Sequence, residues 1–266
     1  MSSYMFENAS EDGDARLSAL ERACDPVTIR RLGRLGPMTG WSCLEVGAGS
    51  GSIARWLSSQ VGINGRLLVT DIDPRFLQSV PWASDSVELR RHDIVTDDLP
   101  SAAFDLIHAR HVFVHIPSAE QTLSRLVTAL KPGGWLVIED YDNVIDRTML
   151  FTDRALAETV ERVLNSTWRL FAKRGSAIAW GRRLTARFRD SGLSDVGGDA
   201  EFHCVTGRSA YTQFQRGSFE RARAEAVADG LASDADFDTV LALLDDPYAL
   251  YYSNPFFAAW GRRSPT

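Results

Sequence analysis

The chain has 266 residues, of which 44% are hydrophobic, 24% charged and 10% aromatic, as is typical of a soluble globular protein. Its net charge of −6 disfavours a nucleic-acid-binding surface, because neutralising phosphates normally requires a basic face. The polar, acidic N-terminus does not resemble a signal peptide, and no apolar run approaches the roughly 20 residues that span a bilayer. Cys24, Cys43 and Cys204 are widely spaced, which predicts reduced thiols, a cytoplasmic location and no metal site.

Strands and helices alternate through the first half of the chain, after residues 1–40, which are expected to be helical and peripheral. Five strands are predicted, because apolar residues run through each segment and polar residues bound it. They are "WSCLEV", "GRLLVTDID", "SVELRRHDI", "AFDLIHAR" and "WLVIED". Helices are predicted at "SIARWLSSQV" and before "KPGG", where Ser118 and Gln121 form a capping-box pattern. This alternation predicts βαβ units and a mostly parallel sheet with helices on both faces.

Beyond residue 142 the alternation gives way to longer helical segments. A long helix is predicted at "TDRALAETVERVLNSTWRLFAKRG" and a short one at "GRRLTARFRDSGL", and residues 209–246 are also expected to be helical. Strands are predicted at "DVGGDAEFHCVTG" and, close to the C-terminus, at "NPFFAAWGRR".

The stretch "LEVGAGSGSIARWL" places Gly47, Gly49 and Gly51 at alternate positions between the first predicted strand and its helix. Glycine lets backbone approach a ligand closely and a helix N-terminus offers unpaired N–H groups, so a dinucleotide, a phosphate or a carboxylate would fit equally well. The spacing separates these ligands. The dinucleotide pattern G-x-G-x-x-G needs glycine where Ser52 stands, and the Gly-Lys-Ser/Thr of a phosphate-binding loop is absent. Glu45, just before the glycines, suits a positively charged ligand.

The pattern E-x-G-x-G-x-G after a first strand resembles motif I of the class I S-adenosylmethionine-dependent methyltransferases, and later segments match that family in order. "VTDIDP" is similar to the second-strand motif and "RHDI" to the adenine-contacting segment, while "AFDLIHAR" and "LKPGGWLVIED" match the fourth strand and the turn into the fifth. The resemblance covers residues 40–142 strongly and the rest in outline. Its nearest likeness is to the small-molecule branch, of the actinobacterial biosynthetic type.

The resemblance implies that S-adenosyl-L-methionine is the cofactor. The loop backbone would meet its aminoacyl end, and Asp71 would accept both ribose hydroxyls, because a carboxylate offers two acceptor oxygens. Asp93 would meet the exocyclic amine of adenine, with Ile94 beside the ring. Arg110 is expected near the cofactor's carboxylate or the substrate. The implied cofactor-binding residues are Glu45, Gly47, Ala48, Gly49, Gly51, Asp71, Ile72, Asp93, Ile94 and Arg110.

An acceptor hydroxyl or acidic carbon also needs a general base. Ligands of open α/β sheets bind outside the carboxyl ends of the strands. The candidates after the fourth and fifth strands are His108, His111, His115, Asp140 and Tyr141. His111 is preferred as the base and Tyr141 is the second catalytic candidate, while His108 and His115 are also explained as structural histidines.

These observations predict a doubly wound α/β fold, with a mostly parallel, seven-stranded Rossmann-like sheet and helical cap insertions. The predicted divisions are an N-terminal helical lid at 1–40, the cofactor-binding core at 41–142, a helical cap insertion at 143–181, a core helix and strand at 182–206, a second helical cap insertion at 207–253 and the last core strand at 254–266. The lid and cap are rich in large aromatic residues, which favours an apolar pocket for an aromatic acceptor. They include Tyr4, Phe6, Phe151, Trp168, Phe171, Trp180, Tyr211, Phe214, Tyr248, Tyr251 and Tyr252.

The favoured function is methyl transfer to a small-molecule acceptor, an apolar or aromatic secondary metabolite, with oxygen slightly favoured over carbon or nitrogen. The alternative is a protein that keeps the cofactor fold without transfer, such as a cyclase or a regulator, and an NAD-linked oxidoreductase is disfavoured by Ser52. Nucleic-acid methylation is disfavoured by the acidic charge, and protein methylation stays open. An N-terminal segment of this type could pack over a partner's active site, so a homodimer is also considered.

Overall fold

The computed structural model describes residues 11–78, 80–83, 86–142, 153–176 and 178–265 of the protein. Residues 1–10 and 143–152, with Tyr4, Phe6 and Phe151, lie outside the described residues. The helices are α1 (Glu11–Gly33), α2 (Ser52–Val61), α3 (Ala119–Ala129), α4 (Arg154–Lys173), α5 (Leu184–Asp190), α6 (Ala210–Ala228) and α7 (Asp234–Asp245). The strands are β1 (Ser42–Val46), β2 (Arg66–Asp71), β3 (Val87–Arg91), β4 (Phe104–Arg110), β5 (Leu130–Tyr141), β6 (Ser194–Glu201), β7 (Cys204–Thr206), β8 (Leu250–Tyr252) and β9 (Phe256–Arg262).

Seven strands form one sheet in the order β3–β2–β1–β4–β5–β9–β6. Strands β1 to β5 pair in parallel, and β9 is antiparallel to both β5 and β6. The central strands are apolar on both sides, because both faces of the sheet are covered; in β1, Cys43, Leu44 and Val46 are all buried. The predicted doubly wound, mostly parallel seven-stranded sheet is confirmed.

Helices cover both faces of this sheet. On one face Ile53 and Leu57, four residues apart on α2, pack into a cluster with Val69 of β2. On the other face Leu123 of α3 shares a cluster with Ile107 of β4. The two cores hold the strands in place, so that the loops after them project from a rigid base.

A third apolar cluster forms a helical cap over the carboxyl edge of the sheet. It joins α1, α4, α6 and α7 through residues such as Leu20, Val160, Phe219 and Phe237. The small sheet of β7 and β8 belongs to this cap, with Val205 opposite Tyr251. Within the described residues, no helix is long and apolar enough to cross a membrane.

The single strand predicted at "DVGGDAEFHCVTG" was wrong at its end. β6 stops at Glu201, where its pairing with β9 ends, and Cys204–Thr206 pairs instead with β8 in the cap. The capping box predicted for α3 was also wrong. Ser118 stands at the N-cap but its side chain makes no capping hydrogen bond, and its ψ of 41° is not the extended conformation usual at that position.

Helix α1 is not peripheral, contrary to the expectation for residues 1–40. Its buried residues recur every three or four positions, as in Leu20, Cys24 and Val27, because this face packs against the cap. Near its end Arg31 is almost fully buried and its Nη1 donates to Glu139 Oε1 of β5 at 2.8 Å. A charged group buried this deeply is normally paired, so α1 is tied to the sheet.

Candidate functional site

The strand ends that carry the predicted site open into a cavity of about 1050 Å³ beneath the cap. It lies at the carboxyl edge of the parallel strands, where open α/β sheets bind ligands. Eleven of the predicted site residues line this cavity; they are Glu45, Gly47, Ala48, Gly49, Asp71, Ile72, Asp93, Ile94, Arg110, His111 and Tyr141. The predicted residues are therefore brought together in space.

The three loop glycines serve different purposes, although all have positive φ. A Cβ on Gly47 would lie 2.4 Å from Val112 Cγ2, so the loop packs too closely there for any side chain. At Gly49 the nearest atom would be 3.9 Å from a Cβ, and the residue lines the cavity. Gly51, which was expected at the cofactor, does not line the cavity. It turns toward Leu77, whose Cδ2 would be 2.9 Å from a Cβ.

Asp71 ends β2 with its carboxylate already oriented by backbone donors. Oδ2 accepts from the Gly49 N–H and Oδ1 from the Asp73 N–H, each at 2.9 Å. Burial raises the pKa of Asp71, while these two N–H groups lower it. The carboxylate lies beside the glycine loop, and Ile72, 40% exposed, stands next to it. A polar group with two acceptor oxygens at this place fits the ribose of the predicted cofactor.

Asp93 and Ile94 form the wall beyond β3. Asp93 Oδ1 accepts from the Val95 N–H at 2.9 Å, and Ile94 is buried. The Arg125 guanidinium of α3 donates to the Ile94 carbonyl at 3.0 Å and holds this turn against the sheet. An apolar side chain next to a carboxylate suits a flat ring that bears an amino group, as adenine does.

Glu45 takes part in a buried series of charges. His108 Nδ1 lies 2.7 Å from Glu45 Oε2, and His108 Nε2 lies 3.4 Å from Glu139 Oε2. Burial disfavours a charge on His108, but attraction to Glu45 and hydrogen bonds to both carboxylates raise its pKa to about 9. Burial also opposes ionisation of Glu139, yet His108 and Arg31 hold its pKa at about 2. His108 is thus held as a cation, which cannot accept a proton.

Arg110 is paired with α1 rather than standing alone at the cavity wall. Its Nη1 lies 2.8 Å from Asp25 Oδ1, and its Nη2 lies 3.4 Å from Ser52 Oγ. The residue still lines the cavity beside the glycine loop. Its expected place near the cofactor is consistent with this position.

Sequence reasoning missed the part that α1 plays. Glu21 Oε1 accepts from Ser50 Oγ at 2.5 Å and from the Ser52 N–H at 3.2 Å, so a carboxylate of α1 sits at the N-terminus of α2. Asp25 Oδ1 also accepts from Ser52 Oγ, at 3.0 Å. The available signal was the spacing of Glu21, Asp25 and Thr28, which places three polar residues on one face of a helix.

His111 lines the cavity and has an unusual backbone conformation with φ of 56°. Its ring stacks on Tyr141 and on Phe256, at centroid distances of 4.7 and 5.1 Å. Nε2 is 3.7 Å from Cys24 Sγ, and Nδ1 is 3.9 Å from Asp140 Oδ1. Burial and then the charge of Arg110 lower the pKa of His111 well below its usual value, so the imidazole is neutral at pH 7.

Tyr141 and Cys24 are both protonated beside this ring. The Tyr141 hydroxyl lies 3.3 Å from Cys24 Sγ. Burial, and then the proximity of Cys24, raises the pKa of Tyr141 well above its usual value, and burial raises the pKa of Cys24 to about 11. Tyr141 can therefore donate a hydrogen bond but is not a base at neutral pH.

Of the other two candidates, His115 lines the cavity as His111 does. Burial, and to a smaller degree the charge of Arg16, lowers the pKa of His115 to about 3, so its imidazole is also neutral at pH 7. Burial raises the pKa of Asp140 well above its usual value, and Asp140 does not belong to the cavity wall. In the described part of the chain, no group of three or more His, Cys, Asp or Glu side chains is placed to hold a metal ion.

The opposite end of the cavity is made of helix faces and is mainly apolar. The apolar side chains come from α1, α4 and α6, and they are Leu17, Leu20, Leu164, Trp168, Phe171, Phe214 and Phe219. Polar residues of the same helices, Glu21, Thr167, Gln215 and Ser218, also line the cavity. Trp168 and Phe171 lie with ring centroids 5.9 Å apart. Arg16 of α1 brings a positive charge to this wall and lies over the Phe214 ring at 5.6 Å. We call this region the acceptor chamber.

Comparison with known proteins places this geometry in a family. A sequence profile for the methyltransferase domain matches residues 16–196. Methyltransferase str2 of Strobilurus tenacellus is 34% identical over 102 residues, which are 37% of this chain and 35% of that protein. Phosphoethanolamine N-methyltransferase 2 of Haemonchus contortus, solved with phosphomonomethylethanolamine and S-adenosylhomocysteine, has a TM-score of 0.50 at 19% identity and covers 95% of this chain and 53% of its own. YcgJ of Bacillus subtilis has a TM-score of 0.55 at 16% identity, and the match covers 84% of this chain and 92% of YcgJ.

The structural likenesses show the fold, and the profile extends over more than half of the sequence. The aligned part spans about a third of the length of the first curated relatives. The chain belongs to the family of class I S-adenosylmethionine-dependent methyltransferases.

Proposed function

We propose that this family member transfers a methyl group from S-adenosyl-L-methionine to a small-molecule acceptor, an apolar or aromatic secondary metabolite. One observation carries the proposal. A single cavity has a polar end, made by the glycine loop and Asp71, and an apolar end, the acceptor chamber. His111 and Tyr141 lie between the two ends, since Val112, next to His111, packs on Gly47 and Tyr141 stacks on Phe214 of the chamber. A cavity of about 1050 Å³ has room for a nucleoside cofactor and a second small molecule together.

The residues would hold the cofactor from three sides. Gly47, Ala48 and Gly49 would meet its aminoacyl end, Asp71 its ribose, and the wall of Asp93 and Ile94 its adenine. When bound, this cofactor supplies a methyl group already activated by its sulfonium charge. The protein's own contribution is then to orient the acceptor atom and exclude water, and such orientation supplies on the order of 7–11 kcal/mol at best.

Oxygen stays slightly favoured over carbon or nitrogen as the acceptor atom, and the residue at the junction of the two ends could take a proton from a hydroxyl or from an acidic carbon. His111 is neutral at pH 7 and would accept the proton that an acceptor hydroxyl loses. Tyr141, still a phenol at this pH, would donate a hydrogen bond that orients the acceptor. Arg110 would add positive charge where the cofactor's carboxylate is expected.

Other parts of the proposal rest on the sequence. A role in secondary metabolism, a cytoplasmic location and a homodimer stay predictions. A non-transferring relative, such as a cyclase or a regulator, would bind the same cofactor without consuming it, and an NAD-linked oxidoreductase would prefer a nicotinamide cofactor. These alternatives differ in two measurable quantities, cofactor preference and cofactor turnover.

The first test is calorimetric titration with S-adenosylmethionine, S-adenosylhomocysteine and NADH. We expect micromolar binding of the two sulfur ligands and its loss in Asp71→Ala, because the ribose hydroxyls lose both acceptor oxygens. The control is Asp190→Ala, an exposed carboxylate at the end of α5. Preference for NADH, or no binding by a folded protein, would contradict the cofactor assignment.

The second test asks whether the cofactor is consumed. The protein is incubated with S-adenosylmethionine and a panel of phenols, aromatic amines and activated carbon acids, and mass spectrometry follows S-adenosylhomocysteine and the methylated product. Turnover with phenols is the expected result. Binding without release of the demethylated cofactor would favour the non-transferring alternative.

A further inference from the structure

Thr28 of α1 joins two groups that belong to different parts of the site. It is fully buried and is not part of the cavity wall. Its hydroxyl donates to Glu139 Oε2 at 2.5 Å and accepts from Arg110 Nη1 at 3.1 Å. A hydroxyl has one proton and two lone pairs, so it can make both bonds at once.

These two bonds complete a series of side chains that begins and ends on residues flanking the glycine loop, Glu45 at the end of β1 and Ser52 at the start of α2. On one side Glu139 leads through His108 to Glu45, which precedes the three glycines. On the other side Arg110 leads to Ser52, which follows them. The complete series is Glu45, His108, Glu139, Thr28, Arg110 and Ser52, and we call it the loop clamp.

The segment that the loop clamp encloses is intrinsically flexible. Gly47, Gly49 and Gly51 all have positive φ, a conformation that glycine leaves easily because it has no Cβ. Restraining both ends of such a loop reduces the entropy lost when a ligand binds, and preorganisation of this kind raises affinity. The members of the loop clamp are buried or partly buried, where hydrogen bonds are stronger than in water.

We propose that Thr28 is a positioning residue for the cofactor. By joining Glu139 to Arg110, it holds both ends of the glycine loop in the binding conformation without touching the cofactor itself. Helix α1 thereby takes part in cofactor affinity as well as in forming the acceptor chamber. This inference rests on the proposed function, since the ligand of the loop is taken to be S-adenosylmethionine.

Thr28→Val and Thr28→Ser separate the hydroxyl from the shape of the side chain. Valine fills the same space without donor or acceptor, whereas serine keeps both. Thr122→Val is the control, because Thr122 is an equally buried threonine on α3 that lies outside the cavity wall and the loop clamp. For each protein the Kd of S-adenosylhomocysteine is measured by calorimetry, and the thermal midpoint is measured alongside.

We expect Thr28→Val to bind S-adenosylhomocysteine about tenfold more weakly than the parent protein, a change of the size that loss of a hydrogen bond to a charged group gives. Thr28→Ser and Thr122→Val should bind within about twofold of the parent protein. A purely structural role would lower the thermal midpoints of both valine variants and leave both Kd values alone, so a Kd for Thr28→Val within about threefold of the parent overturns the inference.

If Thr28→Val does not fold, Ser52→Ala tests the loop clamp instead. Ser52 is the last member of the loop clamp, is only half-buried and does not line the cavity. Weakening of about threefold or more supports the loop clamp, and a smaller effect overturns it. If the parent protein binds no S-adenosylhomocysteine, the proposed function has failed. Binding by the parent and equally by the variants would refute the loop clamp alone.

Discussion

At the cofactor end of the cavity the wall is made by short loops that directly follow β1, β2 and β3, whereas the acceptor chamber is made by faces of α1, α4 and α6. The first wall is polar and uses backbone N–H groups, as at Gly49 and Asp73, to orient a carboxylate. The second wall is mainly apolar, and its residues come from segments more than 100 positions apart, such as Leu17 and Phe171.

The difference shows how the two ends can change independently. A loop that binds through its backbone tolerates few alternatives, because its φ values and its close contacts leave no room for other side chains. A chamber lined by helix side chains can change shape by substitution without disturbing the sheet. On the proposed function, cofactor use is tied to the sheet and its loops and acceptor choice to the cap, apart from the link that α1 makes to the glycine loop through Thr28.

The largest effect is expected from Gly47→Ala. The left-handed backbone costs about 1–2 kcal/mol for alanine, and the contact with Val112 adds about 1–3 kcal/mol, so stability falls and S-adenosylhomocysteine binding is lost. Gly230→Ala, just beyond the end of α6, is the matched control, since its φ is +66° against +64° at Gly47 and no atom lies within 4 Å of a Cβ built there. Urea unfolding measures the stability of the two variants, and calorimetry measures their binding of S-adenosylhomocysteine. Equal losses of stability and binding in both variants would mean that the close packing of the loop is unimportant.

His111→Asn, at the junction of the two ends, should lower kcat by about 100-fold with the best phenol of the panel, as loss of a general base would. The Kd of S-adenosylhomocysteine should change by less than about twofold, because the loop is untouched. Since burial and Arg110 lower the pKa of His111, its basic form persists to acidic pH. In the parent protein, kcat should stay level from about pH 6.5 upward and fall only on further acidification.

His203→Asn is the control for this substitution, because the side chain of His203 is 56% exposed and does not line the cavity. An unchanged kcat in His111→Asn would contradict the base role. The imidazole would then be a packing group between Tyr141 and Phe256.

Trp168→Ala should have the smallest effect and act on the acceptor alone. Loss of one partly buried aromatic wall should lower kcat/KM for the phenol by about tenfold, since aromatic contacts contribute about 0.5–1.5 kcal/mol beyond their burial. The Kd of the cofactor product should not change. Trp56→Ala, a half-buried tryptophan on α2 outside the cavity wall, is the control. Loss of cofactor binding in Trp168→Ala would show that the two ends are not independent.

The cofactor end could be predicted from the sequence because it follows local rules. "LEVGAGSG" and "VTDID" each contain a strand, its end and the residues just beyond it, so parallel pairing alone brings Gly49 and Asp71 together. Gly51, unlike Gly47 and Gly49, does not line the cavity, and the spacing of the glycines does not tell which side of a loop a residue faces. Here it faces Leu77.

The cap helices were predicted, but neither their docking nor the loop clamp could be read from residue order. Whether Thr28 meets Glu139, 111 positions later, depends on how α1 docks on the sheet. The same docking places Cys24 against Tyr141 and Asp25 against Arg110. Periodicity predicts which face of a helix is buried. It does not predict which element packs on that face, because many apolar surfaces could do so. Strand order and the cofactor loop thus follow from local pattern, while the acceptor chamber and the link from α1 to the loop arise from long-range packing.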